Sequence, residues 1–192
     1  MDLPDKAGLL AQVKSHRASW ARSVRPAKIE PAGQGEQSVW DYPRPPVLVP
    51  SPEPIRIVSA GKVVAQSSAA LELCETASAP APYLPPHDVR TDWLIANGKV
   101  SVCEWKGVAA YYDLVMPTGH RVADVAWVYP DPFDDLEEGY AAIAGWFSFY
   151  PGKLECFVGN DRATAQPGGL DGGWVTPRIK GPIKGGPGSQ SW

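Results

Sequence analysis

Glycine or proline interrupts this chain every few residues, and that punctuation limits what it can fold into. The 192 residues include 21 Pro and 19 Gly. Proline cannot donate within a ladder or a helix, and glycine favours turns, so few stretches beyond the first 25 or so residues suit a long helix. Many short elements joined by turns imply a mainly β architecture. Apolar residues supply 44% of the chain and charged residues 20%, enough apolar material for a core. The length suits one domain with extensions.

One helix precedes this region. Over 5–24, Leu9, Val13, His16 and Trp20 recur at helical spacing, with Lys14, Arg17 and Arg22 elsewhere on the cylinder. Pro4 fits the first turn and Pro26 ends the pattern. The basic residues Lys14, Arg17, Arg22, Arg25 and Lys28 read as a solvated helix face and its continuation. A net charge of −3 without a basic stripe sets duplex nucleic acid aside as a partner. No apolar run approaches a membrane span, and Asp2, Asp5 and Lys6 interrupt any signal-peptide core. The expectation is a cytoplasmic protein with no membrane partner.

Ser38-Val-Trp-Asp-Tyr-Pro-Arg-Pro-Pro46 reads as extended, polyproline-like chain, as does the later proline segment 79–86. Segments 55–59 and 62–66 flank Ala60-Gly61 as a hairpin, and 71–76 is a further strand. A single helical turn with Asp88 as its cap is expected within 87–96. Residues 100–105 read as a strand, with Gly107 as a bulge or bend. Segments 109–116 and 121–129 form a hairpin across Pro117 to His120. Segments 145–150 and 153–158 are expected to pair across Pro151-Gly152. In 109–116, alternation puts Tyr112, Leu114 and Met116 on one face and Tyr111, Asp113 and Val115 on the other. Apolar groups on both faces mean that this hairpin is covered on both sides or lines an interior pocket.

Residues 160–192 hold eight Gly and four Pro around a sparse apolar series, Leu170, Trp174, Val175, Ile179, Ile183 and Trp192. This pattern predicts a Gly/Pro-rich arm that docks Trp174 on its own domain or on a neighbouring subunit. A homodimer through the arm is one reading. The chain thus divides into an N-terminal helix and linker (1–37), a β domain (38–159) and the arm (160–192).

The chemistry-bearing motifs are sparse. There is no phosphate-binding G-x-x-x-x-G-K-[ST], and no G-x-G-x-x-G between a strand and a helix. Asp134, Asp135, Glu137 and Glu138 cluster in a turn-like, solvated stretch, and His16, His87 and His120 are scattered. Neither set forms a metal site, and no cofactor is expected. Cys74, Cys103 and Cys156 contain no C-x-x-C pair. Cys103 is read as a structural thiol, because alternation through 100–106 places Cys103 and Trp105 opposite Glu104 and Lys106. Glu75 shares a strand face with Leu71 and Leu73, so it is a buried carboxylate in need of a partner, Lys106 or Arg90. The aromatics Trp40, Trp105, Tyr112, Trp127 and Tyr129 can wall a pocket for a flat or cationic ligand.

The segments 38–46, Leu73-Cys-Glu-Thr76 with Pro80 to Pro86, Cys103-Glu-Trp-Lys-Gly107 with Tyr111, Ala126-Trp-Val-Tyr-Pro-Asp-Pro132, and Gly139-Tyr140 occur in that order. Together they resemble the bacterial and fungal family called domain of unknown function number four-two-seven, over about 38–159. Gly-Gly-Trp-Val-Thr-Pro177 resembles an extension of its longer members. The resemblance implies a compact antiparallel two-sheet β-tent-like fold, a shape whose relatives hold small ligands between two sheets. The nucleotidyltransferase label that the family carries finds no support in the motifs here, and the C-x-x-C knuckles of many β-tent relatives are missing.

These observations favour a domain that binds a small aromatic or nucleotide-like molecule. Trp40, Trp105, Tyr112, Trp127 and Tyr129 form the walls, and Glu75 and Lys106 the anchors. One alternative is a metal-independent enzyme in which Glu75 is the acid/base and Lys106 stabilises developing charge. Another is a homo-oligomeric interaction module.

Overall fold

The structure, a computed structural model, describes residues 5–20, 23–136, 139–169 and 172–192. Asp2, Pro4, Arg22, Glu137, Glu138 and Leu170, named above, lie outside the described residues. Helix α1 spans Lys6–Ser19 and is capped by Asp5, whose carboxylate accepts from the Ala7 and Gly8 amides. It is shorter than the periodicity suggested. Its inner side is set by Val13, Arg17 and Trp20, while His16 is exposed. Arg17 does not belong to the solvated face: it pairs with Asp135 at 2.7 Å and donates to the Glu104 carbonyl.

The strands follow in chain order. They are β1 (Gln37–Ser38), β2 (Val47–Pro50), β3 (Ile55–Ser59), β4 (Lys62–Ser67), β5 (Leu71–Cys74) and β6 (Ala81–Tyr83). Two short 3-10 turns, Pro86–Asp88 and Thr91–Trp93, replace the one turn expected near Asp88, and the Asp88 side chain caps neither. The long strands β7 (Leu94–Cys103), β8 (Gly107–Val115) and β9 (Arg121–Val128) come next. After them lie β10 (Phe147–Phe149), β11 (Glu155–Val158), β12 (Asp161–Arg162), β13 (Thr164–Ala165), β14 (Trp174–Val175) and β15 (Ile179–Lys180). The fold is mainly β and largely antiparallel. No helix among the described residues is long and apolar enough to cross a membrane.

Two four-stranded sheets, ordered β10-β9-β8-β7 and β12-β11-β3-β4, share the main apolar core. Ile55, Ile57 and Cys156 enter it from the second sheet, and Leu114, Val125, Ala126 and Phe149 from the first. The hairpins across Ala60-Gly61 and across residues 117–120 form as expected. The segments around Pro151-Gly152 do not pair with each other. β10 pairs with β9, and β11 with β3. The amides of Lys153 and Leu154 both bond back to the Tyr150 carbonyl, a wide turn that passes the chain from one sheet to the other. The three-stranded sheet β2-β5-β6 covers the opposite face of β8 and β9, with Leu73 and Tyr83 packed among Ala109, Trp127 and Tyr129. The β8–β9 hairpin is therefore covered on both faces, as its alternation implied.

The arm is more ordered than its composition suggested, contributing β12 to β15. Trp174 is 1% exposed, lies in the main core and donates from Nε1 to the Phe149 carbonyl at 2.8 Å. Of the two docking places expected for it, it occupies its own chain. The polar linker pairs with the arm: β1 lies parallel to β15, and the Glu30 and Val39 amides bond to the Gly181 and Lys180 carbonyls. Val39, Trp40, Ala77, Ala79 and Ile179 form a third apolar cluster beneath this junction.

Candidate functional site

The segment Glu104-Trp105-Lys106 is neither strand nor bulge. It is the turn of the β7–β8 hairpin, with Cys103 paired opposite Gly107. Gly107 has φ +94, a left-handed conformation, and a Cβ there would sit 3.4 Å from the Phe133 ring. The alternation argument fails at this point, because the strand has already ended. Cys103 and Lys106 are brought together, with Lys106 Nζ donating to Cys103 Sγ at 3.3 Å. Lys106 is only 6% exposed, and its ammonium stands 5.3 Å from the centre of the Tyr129 ring.

Below this turn lies a cavity of about 230 Å³. Glu75, Tyr83, Trp105, Lys106, Trp127 and Tyr129 line it, joined by Cys103, Tyr111 and Tyr150. The structure thus gathers five of the seven anticipated site residues round one space. Trp40 and Tyr112 lie elsewhere. Trp40 is buried under the arm, donating to the Pro182 carbonyl at 2.8 Å and meeting Trp192 edge-on. Tyr112 faces the main core and packs on Phe147. Its neighbour Tyr111 takes the cavity side, directly opposite Trp127 in the β8–β9 register. That position was available from alternation, since Trp127 on β9 and Tyr129 just beyond it are two residues apart and both line the cavity. Tyr83 and Arg44 were missed, and neither carries a periodic signal.

Glu75, just beyond β5, bonds directly to other groups than the two expected, although its charge acts on Lys106 across the cavity. Arg90 pairs with Asp92, while Arg44 donates to Glu75 Oε1 at 3.0 Å and Trp105 Nε1 donates to the same oxygen at 3.3 Å. Arg44 also lies over the Trp20 ring at 4.4 Å, and Trp20 in turn donates to the Glu104 carboxylate at 2.7 Å. The N-terminal helix is thereby tied to the hairpin turn that carries Lys106. On the far wall, Trp127 Nε1 donates to the Tyr83 hydroxyl at 3.1 Å. A Cβ on Gly172 would fall 1.9 Å from the Trp127 ring, so only glycine allows the arm to lie flat on that indole.

The electrostatics follow from burial. Burial works against the Lys106 charge, yet the facing groups Cys103, Tyr83 and Glu75 outweigh it and hold the lysine protonated. Burial, and after it the neighbouring Cys103, pushes the Tyr129 phenol well above its ordinary range. Tyr83 is also raised by burial, with Lys106 and the Trp127 N–H opposing. Away from the cavity, burial and then the Glu72 charge push the Cys74 thiol from 9.0 up to about 12. Between those values the unfolded chain has lost a proton that the folded chain still binds. Stability present below pH 9 is therefore lost as the pH rises, and Lys106, Tyr83 and Tyr129 act in the same sense. Melting temperatures measured from about pH 8 to about pH 11 should fall above about pH 9; a flat profile contradicts the burial of these groups.

Among the described residues, no group of three or more His, Cys, Asp or Glu side chains is placed to hold a metal ion. The model of a protein family described as Domain of unknown function (DUF427) matches residues 47–160, more than half of the chain. A search of curated proteins found no match. The six principal cavity residues all lie inside the matched segment, whereas Arg17, Trp20, Arg44 and Gly172, which brace them, lie outside it. Motif order, fold and family model agree, and the chain belongs to the DUF427 family, a domain of unknown function.

Proposed function

We propose that the cavity binds a small aromatic or nucleotide-like molecule that carries an anionic group, with Lys106 as its charge anchor. One observation carries this reading: a buried ammonium has three N–H donors, and among the described residues the one side-chain hydrogen bond of Lys106 goes to a weakly accepting thiol. An anionic ligand would supply the missing acceptors, and Trp105, Trp127 and Tyr129 would flank its ring. The volume of about 230 Å³ falls below the range of roughly 300–1,000 Å³ usual for drug-sized ligands. A single ring bearing a carboxylate fits the inner space. An adjoining cavity of about 600 Å³ shares Ser101, Tyr111, Tyr150 and Gly173 with it, giving a longer, nucleotide-like molecule room to extend.

Native mass spectrometry of the purified full chain, followed by calorimetric titration with aryl carboxylates such as benzoate and indole-3-carboxylate, tests the reading. Lys106→Met should weaken binding about 10- to 100-fold, the effect of losing hydrogen bonds to a charged group. Undiminished affinity in that variant, or neither co-purified ligand nor probe binding in the native chain, would refute it.

A second reading keeps the cavity and adds chemistry, with Glu75 as acid/base and Lys106 stabilising developing negative charge. Its support is that both side chains line the same space. Against it stands Glu75 Oε1, already engaged by Arg44 and Trp105. Glu75→Gln separates the two readings, because a binder changes affinity only and an enzyme loses turnover.

A further inference from the structure

Three cysteines occupy different environments, and one of them, Cys103, lines the cavity described above. Cys74 and Cys156 are 3% and 0% exposed, their thiols pushed up by burial, and neither lines the cavity. Cys103 is half-buried, lines the cavity wall and receives a hydrogen bond from the Lys106 ammonium at 3.3 Å. The hairpin imposes this contact: pairing Cys103 with Gly107 leaves a three-residue turn, and Lys106 folds back over the sulfur. Among the described residues the other two N–H groups of Lys106 make no side-chain hydrogen bond, so a buried, incompletely partnered cation points at the sulfur. A cation held against the sulfur also stabilises the negative charge that develops as a peroxide O–O bond breaks there.

We infer that Cys103 is an oxidation site, at which hydrogen peroxide entering the cavity converts the thiol to a sulfenic acid held by Lys106. The sulfur attacks one peroxide oxygen, an S–O bond forms and the O–O bond breaks. The leaving oxygen takes up the thiol proton and departs as water. Sulfur is oxidised by two electrons and peroxide is reduced by two, so Cys103–SH and H₂O₂ give Cys103–SOH and H₂O. No second thiol lines the cavity to condense with the product, and the free Lys106 N–H groups can donate to the new oxygen. The site does not depend on the ligand proposed above, although an anion bound to Lys106 would compete with the sulfur for the ammonium.

The experiment uses the full chain, hydrogen peroxide and dimedone as the sulfenic-acid trap, read by peptide mass spectrometry. In the folded protein the Cys103 peptide should label at least about tenfold faster than those of Cys74 and Cys156. Cys103 should also label faster in the folded chain than in the same chain unfolded in urea at the same pH, where the three cysteines should converge. Lys106→Gln should slow Cys103 labelling and Lys106→Arg should largely preserve it, which mere exposure of the thiol does not explain. The folded-against-unfolded comparison needs no variant, so misfolding of Lys106→Gln leaves the test intact. Folded Cys103 reacting no faster than unfolded Cys103 overturns the inference, as does an unchanged rate in a folded Lys106→Gln variant.

Discussion

Replacing Trp174 with alanine is expected to lower the stability of this protein by about 3–5 kcal/mol, the cost of emptying a buried indole site. Trp174 lies outside the matched segment 47–160, yet it is 1% exposed within the core shared by both large sheets. The substitution removes the ring from that core and leaves the Phe149 carbonyl without its indole donor. Against a total of about 5–15 kcal/mol for an ordinary domain, the loss removes much of the margin. Urea unfolding at constant slope measures it, and a change under about 1 kcal/mol would show the indole to be dispensable. Truncation at residue 160 should go further, exposing apolar surface and lowering the melting temperature. The apolar core draws on residues beyond the segment that identifies the family.

Arg178→Met should be nearly as damaging, about 3–5 kcal/mol, for an electrostatic reason. Glu72 on β5 is 1% exposed, and its Oε1 accepts from Arg178 at 2.6 Å and from Ser51 at 3.0 Å. Removing the guanidinium leaves a buried carboxylate that retains, among the described residues, the Ser51 hydroxyl as its side-chain partner, the costly half of a broken pair. The double variant Glu72→Leu/Arg178→Met removes the stranded charge and should regain most of the loss. Chemical denaturation of both proteins checks this. If the double variant is no more stable than the single one, packing of the arginine stem rather than charge is responsible.

Sequence reasoning reached furthest where its signals are local. Ala60-Gly61 between two alternating runs defined a hairpin, and apolar groups on both faces of 109–116 announced a hairpin covered on both sides. It went astray where two residues of strand length decide. Strand β7 ends at Cys103 rather than Trp105, and that shift turns a separated Cys103 and Lys106 into neighbours. Glu75 was recognised as a carboxylate needing a partner, but Arg44 is 31 residues away and no spacing rule links them. Glu72, more deeply buried than Glu75, was overlooked because its partner Arg178 comes from the arm, 106 residues distant. Which sheet β11 joins was equally unreadable, because the turn at Pro151-Gly152 fixes local direction and not the strand's distant partner β3.

The parallel pairing of β1 with β15 joins Gln37 to Ile179 and Ser38 to Lys180. Such a contact encloses about three quarters of the 192 residues, and closing so large a loop is favourable only after most other contacts exist. During synthesis, which delivers the N-terminal side first, β1 waits for its partner until Ile179 and Lys180 have emerged. Val39 and Trp40, fully covered in the finished molecule, remain without the Ile179 side of their cluster throughout that interval. The nascent protein therefore carries an open apolar seam until the segment around Ile179 has emerged and closes it.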